Sequence, residues 1–184
     1  MHLKNTRAHY GVSSIALHWL MFGLIVLAYG SIELKGMFDK ESDVRFWIKN
    51  LHHAIGLLIL GLVGVRLLLQ WIQLTPLIAP APSAMQAIAA RWGHIALYGF
   101  MFFTPLAGWL MVSAKAKTIW FFGLNVPSLV TPDPLWAERF EDLHEVLGQI
   151  GYALIALHVA AALFNHYVLK DNTLIRMWPT RKKE

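Results

Sequence analysis

The sequence predicts an all-α integral membrane protein, a four-helix transmembrane bundle. Three observations predict it. Hydrophobic residues make up 57% of the 184 positions and charged residues only 15%, where an average soluble domain carries about 25% charge. The mean hydropathy is +0.48. The apolar residues fall into four runs, each near the roughly 20 residues a helix needs to cross the hydrocarbon core. The whole chain, 1–184, reads as one domain, with no internal repeat.

The first run covers about 12–32, with Ser13, Ser14, His18 and Ser31 as its polar members. It is too long for a cleavable signal peptide, carries a histidine and is followed by no small-residue cleavage site. The second covers about 51–72, opening on His52 and His53 and holding Arg66 near its end. Three prolines between Thr75 and Ser83 then break any helix. The third covers about 92–112 and the fourth about 146–169. Between them the longest connection, from Lys115 to Arg139, carries Pro127, Pro132 and Pro134.

Basic residues at helix ends set orientation. One side carries Lys4, Arg7, Arg66, Arg91, Lys170, Arg176, Arg181, Lys182 and Lys183 against Asp171 and Glu184. The other carries seven basic residues against nine acids. Both termini are therefore expected in the cytoplasm. The net charge of +5 reads as a topology and lipid-headgroup signal, and no nucleic-acid partner is expected.

Ionisable residues within spanning helices are costly and usually functional. Nine histidines are many for so apolar a chain. His2 and His9 lie in the N-terminal arm and read as solvated. His18, His52, His94, His144 and His158 lie in or at the mouths of the runs, with His53 and His166 beside them. His144 and His158 share one helix face, because fourteen residues rise about 21 Å and complete nearly four turns. They read as ligands to two centres at two depths. His52 matches His144 in depth. For His158, depth leaves both His18 and His94 open.

A flat macrocycle bound to an imidazole lies close to the helix backbone, so a small residue one turn away makes room. His52 has Gly56 and His144 has Gly148 at that position, and His158 has Ala161 and Ala162 nearby. His53, His94 and His166 have Leu57, Tyr98 and Lys170 there, and His18 has Phe22 followed by Gly23. Zinc wants four protein or water ligands, often thiolates, and the chain has no cysteine. That also excludes disulfides, iron–sulfur clusters and covalently attached haem. Two histidines per centre suit a six-coordinate haem iron, which makes the expected bundle one that encloses two b haems. Arg66 and Arg91 on one side, and Lys35, Lys115 and Lys117 on the other, are candidate propionate partners.

These residues resemble the bacterial cytochrome b561 family of four-helix membrane cytochromes with two b haems. The resemblance runs through Ile15-Ala-Leu-His-Trp19, Leu51-His-His-Ala-Ile-Gly56 and Val65-Arg-Leu-Leu-Leu69. It continues through Leu143-His-Glu, Gly148, Leu157-His-Val-Ala-Ala-Ala162 and the tail from Lys170 to Pro179. It implies His18 with His158 on an inner haem and His52 with His144 on an outer haem, and so chooses His18 over His94. A similar subgroup oxidises superoxide on the periplasmic face and passes electrons to ubiquinone.

The expected function is transmembrane electron transfer from superoxide to ubiquinone. Lys35, Lys115, Lys117 and Arg139 are candidates to steer the anion, although that side sums to a slightly negative charge. His94, Arg66, His166 and Lys170 are candidates for the quinone site. A second reading is a cytochrome subunit that accepts electrons from a periplasmic dehydrogenase or hydrogenase, docked at the 115–139 connection. A third is a histidine-containing transporter or a non-haem metal-binding membrane protein.

Overall fold

The computed structural model describes residues 3–178. His2 and the tail charges Arg181, Lys182, Lys183 and Glu184, used above for topology, lie outside the described residues, as does Pro179. Four long helices dominate: α1 (Val12–Lys35), α2 (Asp43–Ile72), α3 (Ala84–Ala114) and α4 (Pro134–Tyr167). A two-stranded antiparallel hairpin, β1 (Ile119–Phe121) and β2 (Leu124–Val126), separates α3 from α4, and a short α5 (Thr173–Arg176) follows. All four long helices have the length and hydropathy of a membrane span.

Three of these helices start well upstream of their apolar runs, and capping is the reason. The Ser42 hydroxyl accepts from the Arg45 amide just before α2. Ser83 and Gln86 form a reciprocal capping box before α3, at 2.7 and 3.3 Å. The Asp133 carboxylate accepts from the Leu135 and Trp136 amides, with Pro134 in the first helical position of α4. Each polar extension costs no buried charge because it precedes the apolar segment. At its other end α4 stops at Tyr167, short of the expected 169, and Lys170 follows in a left-handed conformation (φ 54°).

The hairpin lies within the 115–139 connection, which hydropathy alone does not divide into strands. Phe122 and Gly123 both take positive φ, 49° and 84°, the pairing that a tight two-residue turn demands. Trp120, Phe122 and Leu124 on it are exposed. So are large side chains along the helices, such as Trp71, Leu27 and Phe164. On apolar spans these are lipid-facing surfaces, since the hydrocarbon replaces the buried core of a soluble bundle.

The described chain divides into two compact units. The loop unit comprises Met21–Val63 and Phe100–Gln149. Its buried positions include Met21, Ile55, Ile59, Val63 and Ala107. Tyr29 Oη donates to the Gly148 carbonyl at 2.6 Å, and Lys115 pairs with Glu141 at 2.7 Å.

The terminal unit holds the described residues of Met1–Leu20, Gly64–Gly99 and Ile150–Glu184. Here the arm, the proline-rich connection and the tail are tied together. The Asn5 side chain donates to the Leu74 carbonyl and accepts from the Gly11 amide. A Cβ at Gly11 would collide with the Leu3 carbonyl, so only glycine lets the arm pass this close. Asn172 brackets Ala79, its amide donating to the Ala79 carbonyl and its side-chain oxygen accepting from the Ala79 amide. The Arg176 guanidinium donates to the Pro76 carbonyl.

Candidate functional site

In the loop unit, α2 and α4 present His52 and His144 to each other. Their ring centroids are 6.1 Å apart and the planes nearly perpendicular, at 85°. An iron bound to one nitrogen of each ring at about 2.0–2.1 Å puts the ring centres about 6.2 Å apart. The far nitrogens are already engaged. His52 Nδ1 donates to the Ala28 carbonyl at 3.0 Å, with Ser31 Oγ at 3.1 Å. His144 Nδ1 donates to the Thr104 carbonyl at 2.8 Å. A carbonyl only accepts, so Nδ1 carries the proton and Nε2 keeps its lone pair for a metal.

α3 contributes a residue that sequence reasoning missed. A Cβ at Gly108 would come within 3.0 Å of His144 Cε1 and Nδ1. The glycine lets the imidazole seat against the α3 backbone and reach Thr104. Searching for small residues on the histidine's own helix does not find it, because the contact crosses between helices. Among the glycines singled out in the sequence, Gly56 faces Pro105 at an ordinary 3.7 Å, and a Cβ at Gly148 would meet nothing within 4 Å. His53 lies beside His52 with centroids 6.4 Å apart, and its buried Nδ1 has no hydrogen-bond partner.

In the terminal unit, His158 on α4 faces two imidazoles. His18 on α1 lies 6.3 Å away between centroids, at 59°. His94 on α3 lies 5.6 Å away, at 73°. His94 Nδ1 donates to the Ala90 carbonyl of its own helix at 2.7 Å. The His18 spacing is close to that of two rings sharing an iron ion; the His94 spacing is shorter. Arg66 Nη2 donates to His18 Nδ1 at 3.0 Å, and its Nε donates to Tyr98 Oη at 3.1 Å. An axial His18 needs its proton on Nδ1, so two donors would then face each other and Arg66 needs another acceptor.

The other candidates separate. His166 Nδ1 lies 3.3 Å from the Asp171 carbonyl, so it faces the tail turn. Arg91 and Lys170 are exposed. Arg139 stacks over Trp136 at 5.3 Å. Lys49 lies within electrostatic range of Arg45, Lys117, Lys35 and Lys115, which makes a basic cluster of residues otherwise scattered through the loop unit. Among the described residues, no three His, Asp or Glu side chains gather to hold a bare metal ion.

Comparison with known proteins identifies the family. The family model described as prokaryotic cytochrome b561 matches residues 9–180. The chain belongs to that family. It is 37% identical over 173 residues to "Cytochrome b561 homolog 1" of Escherichia coli, covering 94% of this chain and 98% of the relative. It is 35% identical over 173 residues to "Probable superoxide oxidase CybB" of Yersinia pestis, covering 94% and 97%. A third relative, "Cytochrome b561 homolog 2" of Escherichia coli, is 35% identical over 185 residues, covering 96% and 95%. Membership implies b-type haem and membrane electron transfer. With the four apolar helices it makes the chain a bacterial multi-pass membrane protein.

Proposed function

We propose that this cytochrome carries two b haems, one between His52 and His144 and one between His18 and His158. The observation that carries this reading is the pair of imidazole separations, 6.1 and 6.3 Å, each close to the span of two rings that share an iron ion. Held between two histidines each, the haems would supply one-electron transfer and would not readily bind oxygen.

The chain's own residues do the rest. Ala28 and Thr104 hold the loop-side rings by their carbonyls and fix the tautomer. The cluster of Lys35, Arg45, Lys49, Lys115 and Lys117 attracts an anion to that side, although Lys115 is partly neutralised by Glu141. Superoxide is the proposed donor, in keeping with the name of the Yersinia pestis relative. The proposed acceptor is ubiquinone at the terminal side, where Arg66, His94 and His166 are the candidate contacts. In the balanced reaction, two superoxide ions become two oxygen molecules, and one quinone takes up two electrons and two protons. The loop side would face the periplasm and the termini the cytoplasm, in the inner membrane, by the charge distribution at the helix ends.

Reduced-minus-oxidised spectra of the detergent-purified protein test this. Two b haems per chain, reduced by superoxide and reoxidised by quinone, are expected. Two haems that ignore superoxide would move the donor to a periplasmic dehydrogenase or hydrogenase, and protein without haem would sink the redox reading.

A further inference from the structure

The C-terminal segment brings a charge into the terminal unit that neither the axial pairs nor the family assignment uses. Arg176 is only 5% exposed. One guanidinium nitrogen donates to the Pro76 carbonyl, while Nε is buried without a partner. Its Cζ lies 5.7 Å from the Tyr10 ring centroid. Among the described residues no carboxylate forms an ion pair with it. Asp171, itself buried, spends its two oxygens on the Thr173 amide and hydroxyl, at 2.8 and 2.9 Å. Among the described residues the ion pair found is Lys115 with Glu141, in the other unit. A buried cation without a counter-charge is unfavourable, so this position calls for an anion.

The surroundings indicate which anion. Tyr10 lies within electrostatic range of Arg176, Arg66 and Tyr98. Burial holds its phenol above the usual range despite the opposing pull of the two arginines, so it remains a neutral donor. Arg66 in turn touches His18 and Tyr98. Trp19, the residue after His18, donates its indole N–H to the Met177 carbonyl at 2.9 Å and packs edge-on against Trp178. The tail is thus fastened directly beside the proposed axial ligand, and a set of donors runs from His18 through Arg66 and Tyr10 to Arg176.

We propose that Arg176, supported by Tyr10 and Arg66, is the binding site for a carboxylate of the terminal-side haem, so that the C-terminal segment is part of that haem's site. This rests on the proposed axial pair His18 and His158. A phosphate of an anionic lipid is the other source of a suitable anion, and the test separates the two.

Wild-type protein and Arg176→Gln are reconstituted with haem and with haem dimethyl ester, whose carboxylates are blocked. Each preparation is titrated potentiometrically. With haem, Arg176→Gln is expected to lower the midpoint potential of one haem, since a nearby positive charge favours the reduced iron. The affected haem should be the one missing from His158→Ala. Arg176→Lys should restore most of the shift. Retention is compared in the same preparations: Arg176→Gln should weaken retention of haem but add little to the already weaker retention of the ester, whose carboxylates are blocked. An unchanged potential overturns the proposal, and so does an equal loss of retention with haem and with the ester, which would point to lipid phosphate or packing. If Arg176→Gln and Arg176→Lys both lose that haem, wild-type protein decides: weakened retention of the ester supports the site and full retention overturns it. If His158→Ala still binds two haems, the axial assignment fails, independently of the Arg176 result.

Discussion

The two histidine pairs are held by different chemistry. In the loop unit, both rings are fixed by neutral backbone carbonyls at 2.8 and 3.0 Å, and Gly108 admits His144 against α3. In the terminal unit, His18 faces a guanidinium, His158 faces two imidazoles, and a second arginine-bearing segment closes in from the tail. Carbonyl partners lock one tautomer and leave little to adjust. Charged partners can change their hydrogen bonds when a cofactor, substrate or proton arrives. Under the proposed assignment, the loop-side pair suits rigid ligation, and the terminal-side pair suits ligation together with tuning by charge.

The most severe way to break this comparison is to remove one axial residue from each unit. His144→Ala and His158→Ala should each halve the haem-to-protein ratio, and their difference spectra should be complementary. Loss of both haems in either variant would mean that the two sites are not separately built.

Gly108→Leu should come next. The added side chain collides with the His144 ring, and overpacking of this kind costs about 1–3 kcal/mol. Loop-side haem retention should fall by about 10–100-fold, as when a ligand's supporting contact is lost, while the terminal-side spectrum stays unchanged. Equal loss at both sites would indicate general destabilisation.

Arg66→Met sharpens the contrast. It should shift the potential of the terminal-side haem and leave the other in place, and Ser31→Ala should do little to either because Ala28 still holds His52. A larger effect from Ser31 than from Arg66, read in the same titration, would reverse the assignment of rigidity and tuning.

Smaller effects are expected at the basic cluster. Raising the salt concentration should slow superoxide oxidation several-fold, since steering falls with screening, and Lys117→Glu should reproduce part of it at low salt. Glu141→Gln frees Lys115 and should raise the low-salt rate slightly. Its effect on stability should stay within about 0–1 kcal/mol, because the pair is partly exposed.

Much of the architecture was legible without coordinates. Four runs of apolar residues announce four spans because helix length is set by bilayer thickness. The fourteen-residue interval between His144 and His158 announces a shared face because helical periodicity is local. Hydropathy alone does not give the starts of α3 and α4, which the caps at Ser83 with Gln86 and at Asp133 before Pro134 set earlier. The turn at Phe122 and Gly123 was not legible, since phenylalanine in a left-handed conformation carries no sequence signature.

Periodicity and hydropathy, both properties of neighbouring residues along one chain segment, determined the class of protein and the roster of histidines. Tertiary structure decided what surrounds each ring: the Ala28 and Thr104 carbonyls, the closeness of Gly108, the Arg66 contact to His18 and the burial of Arg176 beside Tyr10. Those contacts join residues from 24 to 166 positions apart. No local pattern encodes such pairings, because they depend on which helix faces meet after the chain has folded.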